Sequence, residues 1–205
     1  MKKFFLVLMC CLLAIPVMAT AQENVKKVPV LMYHAFNKTD DYLTVSENRF
    51  EEQVKAMVES GYTPVFFQDL IDYVDTGKQL PEKPVCITFD DGYLDNYTYA
   101  FPILKKYNCK ATIFVIGSSI GKKTYKDTNY PINEHFGYDV ANEMIKSGLI
   151  DIQSHTYDMH QSIKYEENAN AQTSIVRNGS ASLIDYIRKL KNDIDTMQNN
   201  IDKNL

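Results

Sequence analysis

The sequence lacks an excess of positive charge, an apolar run of transmembrane length and a metal-binding cysteine motif. With 22 Lys and Arg against 26 Asp and Glu, its formal net charge is −4. This mild acidity argues against a nucleic-acid partner, and no Lys/Arg stripe stands out that would bind phosphates. The composition, 45% hydrophobic and 23% charged, is that of a globular protein. It excludes wholesale disorder, a collagen-like repeat and a polytopic membrane protein, and 205 residues suit a single domain.

The first 21 residues are predicted to be an export signal rather than part of the fold. Lys2 and Lys3 precede an uncharged apolar run of 14 residues, Phe4–Val17, and residues 19–21 have the small-x-small pattern of a signal-peptidase site. The run is shorter than the roughly 20 apolar residues of a transmembrane helix. We therefore expect cleavage after Ala21 and a secreted or cell-surface protein without a stable membrane span. An uncleaved N-terminal anchor is the alternative.

Cys86 and Cys109 are the only cysteines that follow the predicted signal. No CxxC motif or Cys/His cluster surrounds them, so they are not a zinc pair. Export makes a disulfide between them chemically possible. Two reduced, buried thiols are the simpler interpretation.

After the signal, strand and helix patterns alternate along the chain. Five apolar or β-branched runs predict strands, at 28–36, 62–67, 85–89, 111–116 and 149–153. Helices are predicted between them, at 46–61, 70–77, 100–107 and 140–146. Because parallel strands need crossover connections, which helices supply, this order predicts an α/β fold with a parallel sheet or barrel. Functional residues are then expected at the carboxyl ends of the strands.

Two adjacent carboxylates, Asp90 and Asp91, follow the third predicted strand in the sequence TFDDG. Adjacent carboxylates repel each other unless a cation or different protonation states separate them. Since successive side chains of a strand diverge, one aspartate can bind a metal while the other faces a substrate water. Gly92 would allow the tight turn that follows. A solvated Asx turn is the alternative, because a DDG string also occurs by chance.

Two of the four histidines, His155 and His160, follow the fifth predicted strand. A five-residue spacing separates two side chains on a helix, whereas a strand-to-loop turn can bring both imidazoles together. A carboxylate and two imidazoles, with positions open for water, form the ligand set of a catalytic metal site. Two surface histidines are the alternative. The location of both motifs at strand ends favours a site shared with Asp91.

These two motifs resemble those of a known family. Thr88–Gly92 is similar to the first motif of the polysaccharide deacetylases (the NodB-homology carbohydrate esterases), and His155–His160 is similar to the second. The wide histidine spacing and Val30–His34 resemble the branch that contains the poly-β-1,6-N-acetylglucosamine deacetylases. With 105–107 and 111–115, the likeness covers roughly residues 28–160.

The resemblance implies roles for five residues. Asp90 would be the general base, and Asp91 the carboxylate ligand of a divalent metal, zinc in the first instance, with cobalt, nickel or iron as alternatives. His155 and His160 would be the imidazole ligands. His34 would occupy the general-acid position, unless it is simply hydrogen-bonded to the backbone. The implied reaction removes N-acetyl groups from an N-acetylglucosamine-containing polysaccharide and releases acetate.

The chain departs from the family pattern after its last predicted helix. In the family, a strand with an aromatic-Pro-aromatic-Gly motif follows such a helix and lines the groove, whereas this sequence stops at Leu205. We expect a deacetylase domain at 22–165, a polar linker at 166–182 and an amphipathic helix at 183–205. Together they predict a partial (β/α) barrel of about five parallel strands, without the closing strands of a barrel of about seven or eight. The predicted helix at 183–205 has an apolar stripe, for which three explanations are open. The chain is truncated, the helix folds back on the sheet, or the helix forms a short coiled coil.

Two other functions fit parts of the pattern. A truncated remnant that keeps its metal ligands but not its groove would bind metal or glycan without turnover. An iron(II) oxygenase also uses two histidines and one carboxylate. Export and the adjacent Asp90–Asp91 pair count against this last hypothesis.

Overall fold

The computed structural model describes residues 27–38, 40–126, 128–166, 171–177, 179 and 182–205. The predicted export signal at 1–21 lies outside these ranges. Of the helices within them, none has both the length and the hydropathy needed to cross a membrane.

From residue 46 onward, helices and strands follow the predicted order, whereas the strand predicted at 28–36 is divided into two short strands and an unpredicted strand lies at 44–45. The strands are β1 (Val30–Tyr33), β2 (Ala35–Phe36), β3 (Thr44–Val45), β4 (Thr63–Val65), β5 (Pro84–Phe89), β6 (Ala111–Val115) and β7 (Ile150–Ser154). The helices are α1 (Glu47–Glu59), α2 (Phe67–Thr76), α3 (Phe101–Tyr107), α4 (Tyr138–Lys146) and α5 (Leu183–Asn204). A π-helical turn at Asn96–Ala100 leads into α3.

Five of the strands form one sheet in which every pairing is parallel. The central strand is β5, which pairs over its last four residues with β1, at its start with β4 and at its end with β6. The adjoining strand β7 pairs with the whole of β6. Within the described residues the sheet does not close on itself, so the barrel is partial. The predicted fold class is confirmed.

The core lies around β5, whose six residues are all buried. A continuous apolar strand of this kind is typical of parallel sheets covered on both faces. One cover is α1, which buries Phe50, Val54 and Met57 in the same cluster as β5, as their spacing predicts. Cys86 and Cys109 are buried here as free thiols, and burial raises the pKa of each to about 11.

The last helix, α5, folds back on the sheet. Met197 is fully buried in the main core cluster, and Ile201 packs against that cluster. In the first half of α5, by contrast, Leu183, Ile184 and Ile187 are exposed. Of the three explanations for the apolar stripe, folding back therefore accounts for the second half of the helix.

Candidate metal centre

The carboxylate half of the site is the turn that follows β5. Its backbone is left-handed at Asp91 and Gly92, with φ of 72° and 85°. The amide of Ile116 donates a hydrogen bond to the carbonyl of Asp91 and ties this turn to the end of β6. A Cβ at position 92 would lie 2.7 Å from Cγ1 of Val115. The turn therefore needs glycine for both its conformation and its space, as the sequence predicts.

The histidine half of the site is the loop that follows β7. The amide of His155 donates to the carbonyl of Val115, which continues the β6–β7 ladder up to the first histidine. Thr156 then has a left-handed φ of 72°, and its Oγ1 accepts a hydrogen bond from the amide of Met159. This reversal brings the rings of His155 and His160 to a centroid distance of 4.4 Å.

Asp91, His155 and His160 converge on one point. Nε2 of each histidine lies 3.6 Å from Oδ1 of Asp91, and one potential ligand atom from each residue lies within 4.8 Å of the others. Asp91 Oδ1 is buried and has no hydrogen-bond partner among the described residues. Burial of an unpaired carboxylate oxygen is costly. This oxygen faces two imidazole nitrogens, so the three residues fit the divalent cation that the sequence predicts.

Asp90 and His34 lie beside these three residues. Nε2 of His34 is 3.8 Å from Oδ2 of Asp90, and the amide of Asp90 donates to the carbonyl of Tyr33. Burial raises the pKa of Asp90, while the nearby His155 and His34 oppose that rise. Burial also lowers the pKa of His155, which favours the neutral imidazole that a metal requires. The structure thus brings all five predicted site residues together.

Asp193 on α5 is a site residue that the sequence patterns did not predict. Its carboxylate accepts hydrogen bonds from the amides of Tyr157 and Asp158, at 2.8 and 2.7 Å, and the residue is only 6% exposed. Both amides lie between His155 and His160, so Asp193 holds the loop that carries these candidate ligands. One signal was available: Asp193 follows Leu190 by three positions and precedes Met197 by four, which puts a charge on the apolar face of the helix.

Asp95 and Asn96 attach the His34 segment to the carboxylate half. Oδ2 of Asp95 accepts a hydrogen bond from the amide of Phe36 at 2.8 Å, and Nδ2 of Asn96 donates to the carbonyl of His34 at 2.7 Å. Burial raises the pKa of Asp95 to about 6, and the hydrogen bond from Phe36 opposes the shift. No sequence pattern indicated these contacts, which join residues 59 and 62 positions apart.

A cavity of about 720 Å³ borders Asp91 and His160. It is also lined by His135, whose ring lies 4.9 Å from that of Tyr93, so His135 borders the same cavity as His160. His135 is buried, and burial lowers its pKa. Part of the predicted linker at 166–182 lines the cavity as well. Of its described residues, Thr173 and Ser174 line the cavity, and the amide of Gln161 donates to the carbonyl of Thr173.

Comparison with known proteins agrees with this geometry. The chain matches the model of the polysaccharide deacetylase family over residues 77–201. YxkH of Bacillus subtilis is 40% identical over 136 residues, which are 66% of this chain and 44% of that protein. Poly-beta-1,6-N-acetyl-D-glucosamine N-deacetylase of Escherichia coli K12 is 32% identical over 140 residues, which are 66% of this chain and 20% of that protein. The solved structure of a de-N-acetylase from Aggregatibacter actinomycetemcomitans has a TM-score of 0.71 and 28% identity, covering 87% of this chain and 75% of that one.

The protein belongs to the polysaccharide deacetylase family, because the family match covers more than half of the chain. The matched region contains Asp90, Asp91, His155 and His160, whereas His34 precedes it. The resemblance indicated by the motifs is confirmed, and family membership argues against an iron(II) oxygenase. The chain spans less than half the length of these two curated relatives.

Proposed function

We propose that this protein hydrolyses N-acetyl groups of an N-acetylglucosamine-containing polysaccharide and releases acetate. The convergence of Asp91, His155 and His160 beside Asp90 and His34 carries this proposal. Family membership supports the class of reaction. A relative named poly-beta-1,6-N-acetyl-D-glucosamine N-deacetylase supports the class of substrate. The N-terminal pattern supports action outside the cell or at its surface.

Asp91, His155 and His160 would hold a divalent cation. Zinc is the proposed ion, and cobalt, nickel and iron are the alternatives, because this donor set accepts several divalent metals. Three protein ligands leave coordination positions open, as catalytic sites require. When bound, such a cation lowers the pKa of water and polarises a carbonyl group.

Asp90 is the proposed general base. Its carboxylate would take a proton from the water that adds to the acetamide carbonyl carbon. General-base catalysis is most effective when the pKa of the base is close to the working pH. The rise in the pKa of Asp90 caused by its burial acts in that direction.

His34 is the proposed general acid. When protonated, it would deliver a proton from Nε2 to the amine nitrogen as the carbon–nitrogen bond breaks. Nε2 of His34 lies 3.8 Å from Oδ2 of Asp90, which supports the action of both groups on one amide. The products are acetate and a glucosamine unit whose new amine carries a positive charge.

Acetate release from N-acetylglucosamine oligomers by the full chain tests the proposal. We expect release with added Zn²⁺, Co²⁺ or Ni²⁺ and its loss with a chelator. Metal binding without acetate release would instead support a remnant that binds metal or glycan without turnover.

A further inference from the structure

A braced turn at residues 40–45 holds Tyr42 at its tip. Oδ1 of Asp41 accepts hydrogen bonds from the amides of Leu43 and Thr44, at 2.8 and 2.9 Å. Oδ1 of Asp40 accepts a hydrogen bond from the amide of Ser46 at 2.7 Å. The Tyr42 side chain is nevertheless 97% exposed. Its ring therefore projects into solvent from a backbone that two carboxylates fix.

The same turn is joined to the proposed general acid. The amide of Ala35 donates to the carbonyl of Leu43, and the amide of Asn37 donates to the carbonyl of Val45. These bonds belong to the β2–β3 pair. Since Ala35 directly follows His34, the position of the turn is coupled to the position of the acid.

Two cavities near this turn share one lining residue, Leu43. Tyr42 and His34 line one cavity of about 340 Å³. Leu43 lines both this cavity and the 720 Å³ cavity that borders Asp91 and His160. A polysaccharide needs binding surface of this kind, because the sugars next to the hydrolysed unit must lie beyond the catalytic groups.

We propose that Tyr42 is a stacking platform for a pyranose ring adjacent to the N-acetyl unit at the metal centre. This inference rests on the proposed function, which makes a glycan the ligand. An N-acetylglucosamine ring is uncharged and has an apolar C–H face, which can pack against a flat aromatic side chain. Arg49 and Gln53 line the same cavity and carry N–H donors suited to sugar hydroxyls. Met32 and Leu43 are also exposed and line this cavity, but neither has a flat aromatic face.

Calorimetric titration of an N-acetylglucosamine pentamer tests the platform separately from turnover. The full chain would carry Asp90→Asn, which prevents hydrolysis during the measurement. Adding Tyr42→Ala should weaken pentamer binding about fivefold, whereas Tyr42→Phe should preserve it because the ring remains. Tyr62 provides a matched control, since it is exposed but precedes β4 at the opposite end of the sheet. Tyr62→Ala should bind like the parent.

Three results of this titration would overturn the proposal. They are unchanged binding by Tyr42→Ala, equal weakening by Tyr42→Phe, and no pentamer binding by the parent. Because Tyr42 is exposed, its alanine variant should unfold at the temperature of the parent.

A failure of the proposed function would give a different pattern. The pentamer would then bind in a Tyr42-dependent manner, while the chain with a native Asp90 would release no acetate. In an active chain, Tyr42→Ala should lower kcat/KM for the pentamer more than kcat/KM for the N-acetylglucosamine monosaccharide, which is too short to reach the platform. Equal losses on both substrates would contradict stacking of an adjacent sugar.

Discussion

The two halves of the candidate metal centre are held in place by different parts of the structure. Asp91 extends from β5, the fully buried central strand, and its side chain is 9% exposed. The histidines lie on a loop beyond β7, with side-chain exposures of 27% for His155 and 57% for His160. That loop is held by Asp193, whose partners lie 36 and 35 positions earlier in the chain.

This difference shows that the residues of one candidate site can be positioned partly by local structure and partly by tertiary contacts. The carboxylate half depends on a strand and the tight turn that follows it. The histidine half depends on a helix that packs beneath the loop. We therefore expect changes in the carboxylate turn to lower folding stability, and loss of the helix contact to lower metal affinity.

The largest effect is expected from Asp90→Asn, in the carboxylate half. An amide cannot accept the proton from water, so acetate release should fall about 10²- to 10⁴-fold. Metal affinity should remain, because the change leaves Asp91, His155 and His160 in place. Acetate assays and zinc titration of the same preparation check both expectations. Simultaneous loss of metal and turnover would contradict separate roles for the two adjacent carboxylates.

Gly92→Ala should lower the free energy of unfolding by about 2–4 kcal/mol. The new Cβ would meet Cγ1 of Val115 at 2.7 Å and would also disfavour the positive φ. Gly61→Ala is the matched control, because Gly61 has a similar φ of 78° and no atom within 4 Å of the added Cβ. It should lose only about 1 kcal/mol. Urea unfolding measures both, and equal losses would show that contact with β6 does not constrain the turn.

Asp193→Ala should weaken zinc binding about 10- to 100-fold, in the range typical of residues that support metal ligands. The amides of Tyr157 and Asp158 would lose their acceptor, and the loop would lose its defined position. Asp195→Ala is the control on the same helix, because Asp195 is exposed and pairs with Lys191. If the two variants bind zinc equally well, the histidine half does not depend on α5.

The smallest effect concerns Asp95, whose pKa is raised from 3.8 to about 6 in the folded protein. A raised folded-state pKa stabilises the fold at low pH. That contribution is complete below about pH 4 and is lost as the pH rises through about 6. The substituted side chain in the variant Asp95→Asn cannot ionise. The free energy of unfolding of this variant, relative to that of the wild type, should therefore increase as the pH rises from about 4 to about 6. Urea unfolding of both proteins across this range checks the sign, and a change in the opposite direction would contradict it.

The sequence predicted the parts of the structure that depend on local patterns. Apolar runs located the five strands of the sheet, and the motifs located Asp90, Asp91, His155 and His160 at its carboxyl edge. Their meeting was predictable because parallel strands end at a common edge. Asp193 was not predicted, since its role depends on how α5 packs beneath a loop far from it in sequence. Asp95 and Asn96 were missed for the same physical reason.

Zinc titration of the full chain and of Asp91→Asn tests the metal centre most directly. Calorimetry should show one zinc ion per wild-type chain and much weaker binding by the variant, because Oδ1 of Asp91 is the atom on which both histidines converge. Equal zinc binding by the two proteins, or no binding by the wild type, would contradict a metal centre formed by Asp91, His155 and His160.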